Sequence, residues 1–248
     1  MKGQCGKIRL ILVFLIQAFT LPCHAGSFNI NPVRILLSSS VATEVLHVTN
    51  SGNSDVTVQL QTKLWSQNNG EDELKSTRDL IATPQIFNLK AGTSQIVRIG
   101  LAKKPDFSRE MTYRLILEEI PPPLEPGFQG LRLALRISLP VFVRPSGQSA
   151  QSVEAHIAQQ NSSAPDALSL ELINTGRTHI QFLNFKIHPA DDPEELLATL
   201  EKNIYLLAGQ KRQISLKTYK QLPSTSAILI RAETSAGKVE FHATRGSP

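Results

Sequence analysis

Residues 131–143 read Leu131-Arg132-Leu133-Ala134-Leu135-Arg136-Ile137-Ser138-Leu139-Pro140-Val141-Phe142-Val143, with a branched aliphatic residue at every odd position. A period of two sends those side chains to one face of an extended strand and Arg132, Ala134, Arg136, Ser138 and Pro140 to the other. A single strand of this length would run about 43 Å, roughly twice the usual span. Pro140 has no N–H to give to a ladder, so it marks an edge, a bend or a change of sheet. The segment is expected to run its first part, Leu131, Leu133 and Leu135, along an exposed edge. One reading packs the odd face into the domain's own core. The other starts from the hazard that an open, leucine-lined edge presents, which natural proteins usually suppress. The loop before it, Pro121–Gly130, is long and proline-rich for a hairpin, and a hazard kept in place points to adding a strand to a partner's sheet.

The rest of the chain is read the same way. Strand patterns cover Glu44–Thr49, Val56–Trp65, Gln95–Leu101, Thr112–Ile120, Ala167–Ile173, Ile180–Ile187, Lys211–Leu216 and Ala227–Ala232, separated by Asn, Gly, Ser and Pro. Short strands with turn signals between them predict an all-β antiparallel sandwich architecture. The competing signal is Asp191–Asn203, where Asp192 as cap, Pro193 at the first position and Leu196, Leu197 and Leu200 on one face predict a short helix.

A repeat sets the domain count. Asn50-Ser51-Gly52 before Val56, Val58 and Leu60 is matched by Asn174-Thr175-Gly176 before Ile180 and Phe182. Ala91-Gly92 before Gln95–Ile99 is echoed by Ala208-Gly209 before Gln213–Leu216. Two sandwiches are the economical reading, with the junction at Arg144-Pro145-Ser146-Gly147-Gln148-Ser149. The expected division is a signal peptide at 1–25, a first domain at 26–145 and a second at 146–248.

The leader is read from Lys2, Lys7 and Arg9, the apolar run Leu10–Leu21 and the exit Cys23-His24-Ala25. Its apolar run is short of a bilayer span, and no later uncharged stretch has that length, so no direct membrane insertion is expected. Thr20-Leu21-Pro22 before Cys23 does not look like a lipidation box. Removing residues 1–25 from the 248 leaves 223, enough for one large or two ordinary cores, and removes both cysteines. Three of the 26 basic residues go with it while all 21 acidic residues stay, so the net charge falls from +5 to +2. That weak bias, with basic residues scattered singly, predicts no nucleic-acid partner.

Several short motifs then resemble one family. Glu118-Glu119-Ile120-Pro121-Pro122, the alternation of Leu131–Val141 and the closing Phe142-Val143-Arg144-Pro145 resemble the last two strands and the domain boundary of the first domain of PapD-like pilus chaperones. Val33-Arg34-Ile35 and Gln95-Ile96-Val97-Arg98-Ile99 are similar to that family's pattern too. The resemblance spans the mature chain, dense in the first domain and faint in the second. It implies a boomerang of two immunoglobulin-like β-sandwich domains that binds nascent pilin or fimbrial subunits in the periplasm. By donor-strand complementation it would fill each subunit's open groove and deliver the subunit to an outer-membrane usher, with no cofactor. Leu131, Leu133, Leu135 and Ile137 would then enter the groove, each fully buried leucine contributing roughly 1.5–3 kcal/mol.

The family also grips the subunit's C-terminal carboxylate with two basic residues. Arg34 matches the first. Pro140 stands where the second, a lysine, is usual, which makes Arg114 on the neighbouring strand or Arg136 four residues earlier the candidate replacements. A guanidinium binds a carboxylate through two parallel hydrogen bonds, so either keeps the same physics. The departure implies a divergent or archaic branch. Taken from the residues alone, each arginine is equally a solvated strand face.

Enzyme chemistry is not expected. His24, His47, His156, His179, His188 and His242 lack metal-ligand spacing, and no nucleophile elbow, phosphate loop or dinucleotide fingerprint occurs. Asp191-Asp192 and Glu194-Glu195 read as a charged, capped loop rather than a calcium site, Glu118 and Glu119 point to opposite faces, and Asn161-Ser162-Ser163 matches a glycosylation acceptor. Two rivals stand beside the chaperone reading: a structural fibre subunit or adhesin, and a generic extracytoplasmic binding sandwich. A carbohydrate-binding version of the latter would need a row of aromatics, and Trp65, Tyr113, Tyr205 and Tyr219 lie on separate segments. Self-association of the free protein through its leucine edge is left open.

Overall fold

The computed structural model describes residues 28–68, 70–102, 108–123, 126–127, 131–147, 151–158, 167–220 and 227–245. The predicted leader at 1–25, the Asn161-Ser162-Ser163 acceptor and residues 148–149 of the predicted junction lie outside them. Among the described residues every regular element is a strand: β1 (Phe28–Asn31), β2 (Ile35–Leu37), β3 (Thr43–Asn50), β4 (Val56–Asn68), β5 (Glu71–Ser76), β6 (Leu80–Thr83), β7 (Ile86–Leu89), β8 (Ser94–Leu101), β9 (Met111–Ile120), β10 (Arg136–Val143), β11 (Val153–Ile157), β12 (Ala167–Asn174), β13 (Ile180–Pro189), β14 (Ala198–Leu206), β15 (Lys211–Lys217), β16 (Ile228–Thr234) and β17 (Gly237–Arg245).

The first ten strands make two facing sheets, β1-β3-β8-β6 and β2-β10-β9-β4-β5, with β7 pairing β4. Alternation explains why they face each other. Leu46, Val48, Val97 and Ile99 of one sheet bury against Leu115, Leu117, Leu139 and Val141 of the other in one apolar cluster. The last seven strands follow one path, β14-β13-β16-β17-β11-β12-β15, and its end strands β14 and β15 come back into contact. Phe182 and Phe185 sit in the core this encloses, with their rings 4.8 Å apart. The architecture is two immunoglobulin-like β-sandwiches.

The repeated turns are the same in both halves. Asn50 Nδ2 donates to Ser54 O (2.7 Å) and Leu89 O (3.1 Å), and its Oδ1 accepts from Gly52 N (2.9 Å). Asn174 Nδ2 donates to Thr178 O (2.8 Å) and Leu206 O (3.0 Å), and its Oδ1 accepts from Gly176 N (2.9 Å). Each asparagine therefore stitches a hairpin to a distant strand end with a side chain buried and fully engaged. Gly92 and Gly209 occupy the equivalent left-handed turn, φ 70° and 69°, and their N–H groups donate to the carbonyls of Asn50 and Asn174.

Two sequence expectations are corrected. Asp191–Asn203 does not form a helix. Asp192 does act as a cap, its Oδ1 accepting from Glu194 N and Glu195 N, both 3.3 Å. The chain then turns away, because Leu197 N donates to Ile187 O on the neighbouring strand instead of back along a helix, and β14 begins at Ala198. The long strand expected over Leu131–Val143 is also shorter. Pairing begins only at Arg136, and 131–135 run on without regular ladder bonds.

Candidate functional site: an open strand edge beside an arginine-lined cleft

β10 lies between β9 and β2, but unequally. Against β9 it is paired over its whole length, Arg136 to Glu118 through Val143 to Met111. Against β2 it is paired in parallel only from Val141–Ile35 to Val143–Leu37. Among the described residues, the stretch Arg136–Pro140 therefore has one partnered side and one open side.

Main-chain direction decides what the open side offers. Glu119 N donates to Leu135 O (2.9 Å), so odd-numbered residues aim their main-chain groups at β9. Even-numbered residues aim theirs the other way, as Arg144 N does in donating to Leu37 O (2.8 Å). Arg136 and Ser138 thus present their N–H and C=O groups to the open edge. Pro140, on the same side, is tolerated because the N–H it lacks would not have served the β9 ladder.

The odd side chains continue the core face outward from a covered to an uncovered region. Leu139, Val141 and Val143 are buried, Ile137 and Leu135 are half-buried, and Leu133 and Leu131 are 67% and 83% exposed. Leu135 N also donates to Glu119 Oε2 (3.2 Å), and Arg132 Nη1 to Pro122 O (2.5 Å), which tether the leucine segment at its flanks without covering it.

The opposite face of the same sheet meets the second sandwich. Extending the β2–β10 register by one residue sets Arg34 beside Pro140, and Pro140 is paired directly with Arg114. Arg34, Pro140 and Arg114 thus form one cross-strand row, with the two arginine backbones about 10 Å apart from strand spacing alone. Arg136 is four residues along β10, opposite Glu118 and exposed, about 13 Å from Pro140. Among the three candidate arginines the fold brings Arg34 and Arg114 together and leaves Arg136 apart.

The row is roofed by aromatics. The Arg114 guanidinium lies 3.7 Å over the Trp65 ring and 5.5 Å from the Tyr205 ring, and the two rings meet edge-on at 5.2 Å. Burial pushes the Arg114 pKa down, against the upward pull of Tyr205 and Asp72. A guanidinium stays charged through such a shift. Arg34 Nη2 donates to Gln181 Oε1 of the second sandwich. Sequence reasoning had set Trp65 and Tyr205 on separate segments; the fold joins them across 140 positions. The available signal was the alternation Lys63, Trp65, Gln67 on the face of β4 turned away from the core.

The cleft floor is tightly fixed. Trp65, Phe142 and Leu207 form an apolar cluster with Leu36 and Tyr205, and Phe142 stacks on His179 at 3.7 Å. Buried Gln67 clamps the end of β14, its Nε2 donating to Tyr205 O (2.8 Å) and its Oε1 accepting from Leu207 N (3.0 Å). Glu110 Oε2, also buried, takes both the main-chain N–H and Nδ1 of His179, each at 2.7 Å. Arg177 Nε donates to Ser108 O (2.5 Å). Every one of these contacts spans the two sandwiches.

Similarity to known proteins falls on the first sandwich and on the fold. Residues 27–149 match the family model "Pili and flagellar-assembly chaperone, PapD N-terminal domain". The chain is 29% identical over 118 residues to the Escherichia coli "Chaperone protein CssC", a match spanning 47% of each, so it aligns with about half the length of the curated relatives it matches. Among solved structures it resembles the Acinetobacter baumannii CsuC–CsuE chaperone–tip adhesion subunit complex of archaic chaperone-usher Csu pili, with TM-score 0.64 and 18% identity over 89% of this chain and 100% of that one. It also resembles the Salmonella enterica SafA pilin–SafB chaperone complex, with TM-score 0.57 and 17% identity over 89% and 97%. At those identities the structures speak to the fold, while the family rests on the matched first sandwich. The chain belongs to the PapD-like family of pilus-assembly chaperones.

Proposed function

We propose that this protein is a periplasmic chaperone that binds pilus or fimbrial subunits by donating the open edge of β10 and passes them to an outer-membrane usher. The observation that carries the reading is the half-partnered β10. Among the described residues its Arg136–Pro140 edge is free toward one side, and its core-face row runs on into exposed Leu133 and Leu131. A strand added there would gain main-chain bonds from Arg136 and Ser138 and would cover leucines that now meet water. Each fully buried leucine contributes roughly 1.5–3 kcal/mol, so Leu131, Leu133, Leu135 and Ile137 would dominate affinity while the ladder sets register.

The carboxylate anchor in this reading is Arg34 with Arg114. Pro140 occupies the place between them, and a guanidinium one strand over supplies the charge that position lacks. We place the subunit-binding domain at 26–145 and the second domain at 146–248, with residues 1–25 as a cleaved export signal. The family is one of chaperones, and the site as built calls for no cofactor. Capping the leucine edge by self-association in the absence of a subunit follows from the same hydrophobic exposure.

The test is periplasmic co-expression of the tagged chain with a candidate pilin subunit. Wild type is expected to copurify with the subunit one to one, and Leu133→Arg to lose it at unchanged chaperone yield. Copurification that survives Leu133→Arg would leave only a generic binding sandwich.

A further inference from the structure

Both arginines of the proposed anchor are held by the second sandwich, and by neighbouring residues of it. Gln181 accepts from Arg34 Nη2, and the Tyr205 ring lies beside Arg114. Gln181 and Tyr205 are themselves cross-strand partners on β13 and β14. Directly opposed residues in an antiparallel pair point to the same face with Cβ atoms about 5 Å apart. A two-residue row of the second sandwich therefore confronts the Arg34–Pro140–Arg114 row of the first.

The two contacts leave different things free. Gln181 is only 7% exposed, and its Nε2 donates to Asn203 Oδ1 (3.0 Å), which turns the carboxamide oxygen toward Arg34. That oxygen engages part of the guanidinium fork and orients the rest, since arginine has five N–H donors in fixed directions. Trp65 and Tyr205 hold Arg114 through ring faces, and among the described residues its guanidinium makes no hydrogen bond or ion pair. Its donors remain available.

We infer that Gln181 and Tyr205 are positioning residues for a carboxylate ligand, so that carboxylate capture belongs to both sandwiches together and not to the subunit-binding one alone. This rests on the anchor reading above and extends it to the second domain. Gln181 acts as a neutral placeholder on the Arg34 fork: strong enough to orient it, without the charge that would satisfy it. An acid at the same position would be an internal carboxylate and would compete with the subunit's own. Tyr205 acts through its ring, so phenylalanine should replace it and leucine should not.

The test uses the full mature chain and the C-terminal peptide of a pilin subunit that copurifies with it, made once as the free acid and once as the amide. The quantity read is the ratio of the two affinities, which a loss of general stability does not move. Wild type is expected to prefer the acid by about tenfold or more, as charge-assisted hydrogen bonds require. Gln181→Glu should bring the ratio close to one. Tyr205→Leu should lower it about threefold or more, and Tyr205→Phe should hold it within about twofold of wild type. If Gln181→Glu and Tyr205→Leu both keep the wild-type ratio while Arg34→Ala abolishes it, the anchor stands and the role of the second sandwich is overturned. If wild type itself shows no preference for the acid, the anchor fails and this inference fails with it.

Discussion

The two ends of one alternating segment, Leu131–Leu135 and Leu139–Val143, have the same pattern and opposite fates. Leu139, Val141 and Val143 are core residues, whereas Leu131 and Leu133 are exposed. Nothing in the residue types separates them. What differs is the company: β9 flanks β10 throughout, but β2 reaches only Val141–Val143, and the facing sheet covers the same inner portion. Periodicity assigns side chains to a face. Whether that face is covered depends on where other strands end, and here the uncovered stretch is the part a partner can complete.

The largest effects should fall on stability at the covered end and vanish at the other. Leu139→Ala should cost about 2–5 kcal/mol in denaturant unfolding, as a buried leucine truncation does. Leu133→Ala should stay within about 0.5 kcal/mol of wild type, as exposed positions do. Equal losses at both sites would show that the leucine segment is packed in solution.

Main-chain parity sharpens the contrast at intermediate size. Ile137 directs its N–H to β9, so Ile137→Pro removes a ladder bond and should cost about 1–3 kcal/mol. Ser138 directs its N–H to the open edge, so Ser138→Pro should leave the free protein nearly unchanged and weaken subunit binding instead. Isothermal titration with purified subunit, beside unfolding curves for both variants, reads the two effects separately.

The smallest effect concerns the buried end at high pH. Tyr113 is paired with Val141, and burial, helped by the Asp79 charge, pushes its hydroxyl up from the ordinary 10 to about 12. The unfolded chain ionises there first, so its contribution is intact below pH 10 and is lost as pH rises through 12. Tyr113→Phe should unfold less readily than wild type across that window, relative to the difference between them at neutral pH. Parallel pH curves for the two proteins would remove Tyr113 from the account.

Much of this was legible in the residues. Alternation located β3, β4, β8, β9, β12, β13, β15 and β16, and the paired Asn-x-Gly turns announced two hairpins whose asparagines do make matching bonds. The leucine row was likewise visible, whereas Arg34 was singled out only through the family resemblance of Val33-Arg34-Ile35. The cleft was not, for two physical reasons. Asp191–Asn203 carries good helix-start chemistry, and only the bond from Leu197 to Ile187 on the adjacent strand overrides it, which hid β14 and with it Tyr205. The choice between Arg114 and Arg136 depends on strand register, fixed by contacts between segments far apart in sequence. Gln181 and Gln67 look like ordinary polar strand residues until the second sandwich is laid against the first.

The most direct measurement of the central claim is main-chain amide exchange along 131–143 in the free chaperone and in its complex with a copurifying pilin subunit. The account predicts fast exchange at the even-numbered, edge-facing amides of Arg132, Ala134, Arg136 and Ser138 in the free protein and strong protection of these same amides in the complex, with Val141–Val143 slow in both. A stable complex in which Arg136 and Ser138 exchange as fast as before would contradict strand donation by β10.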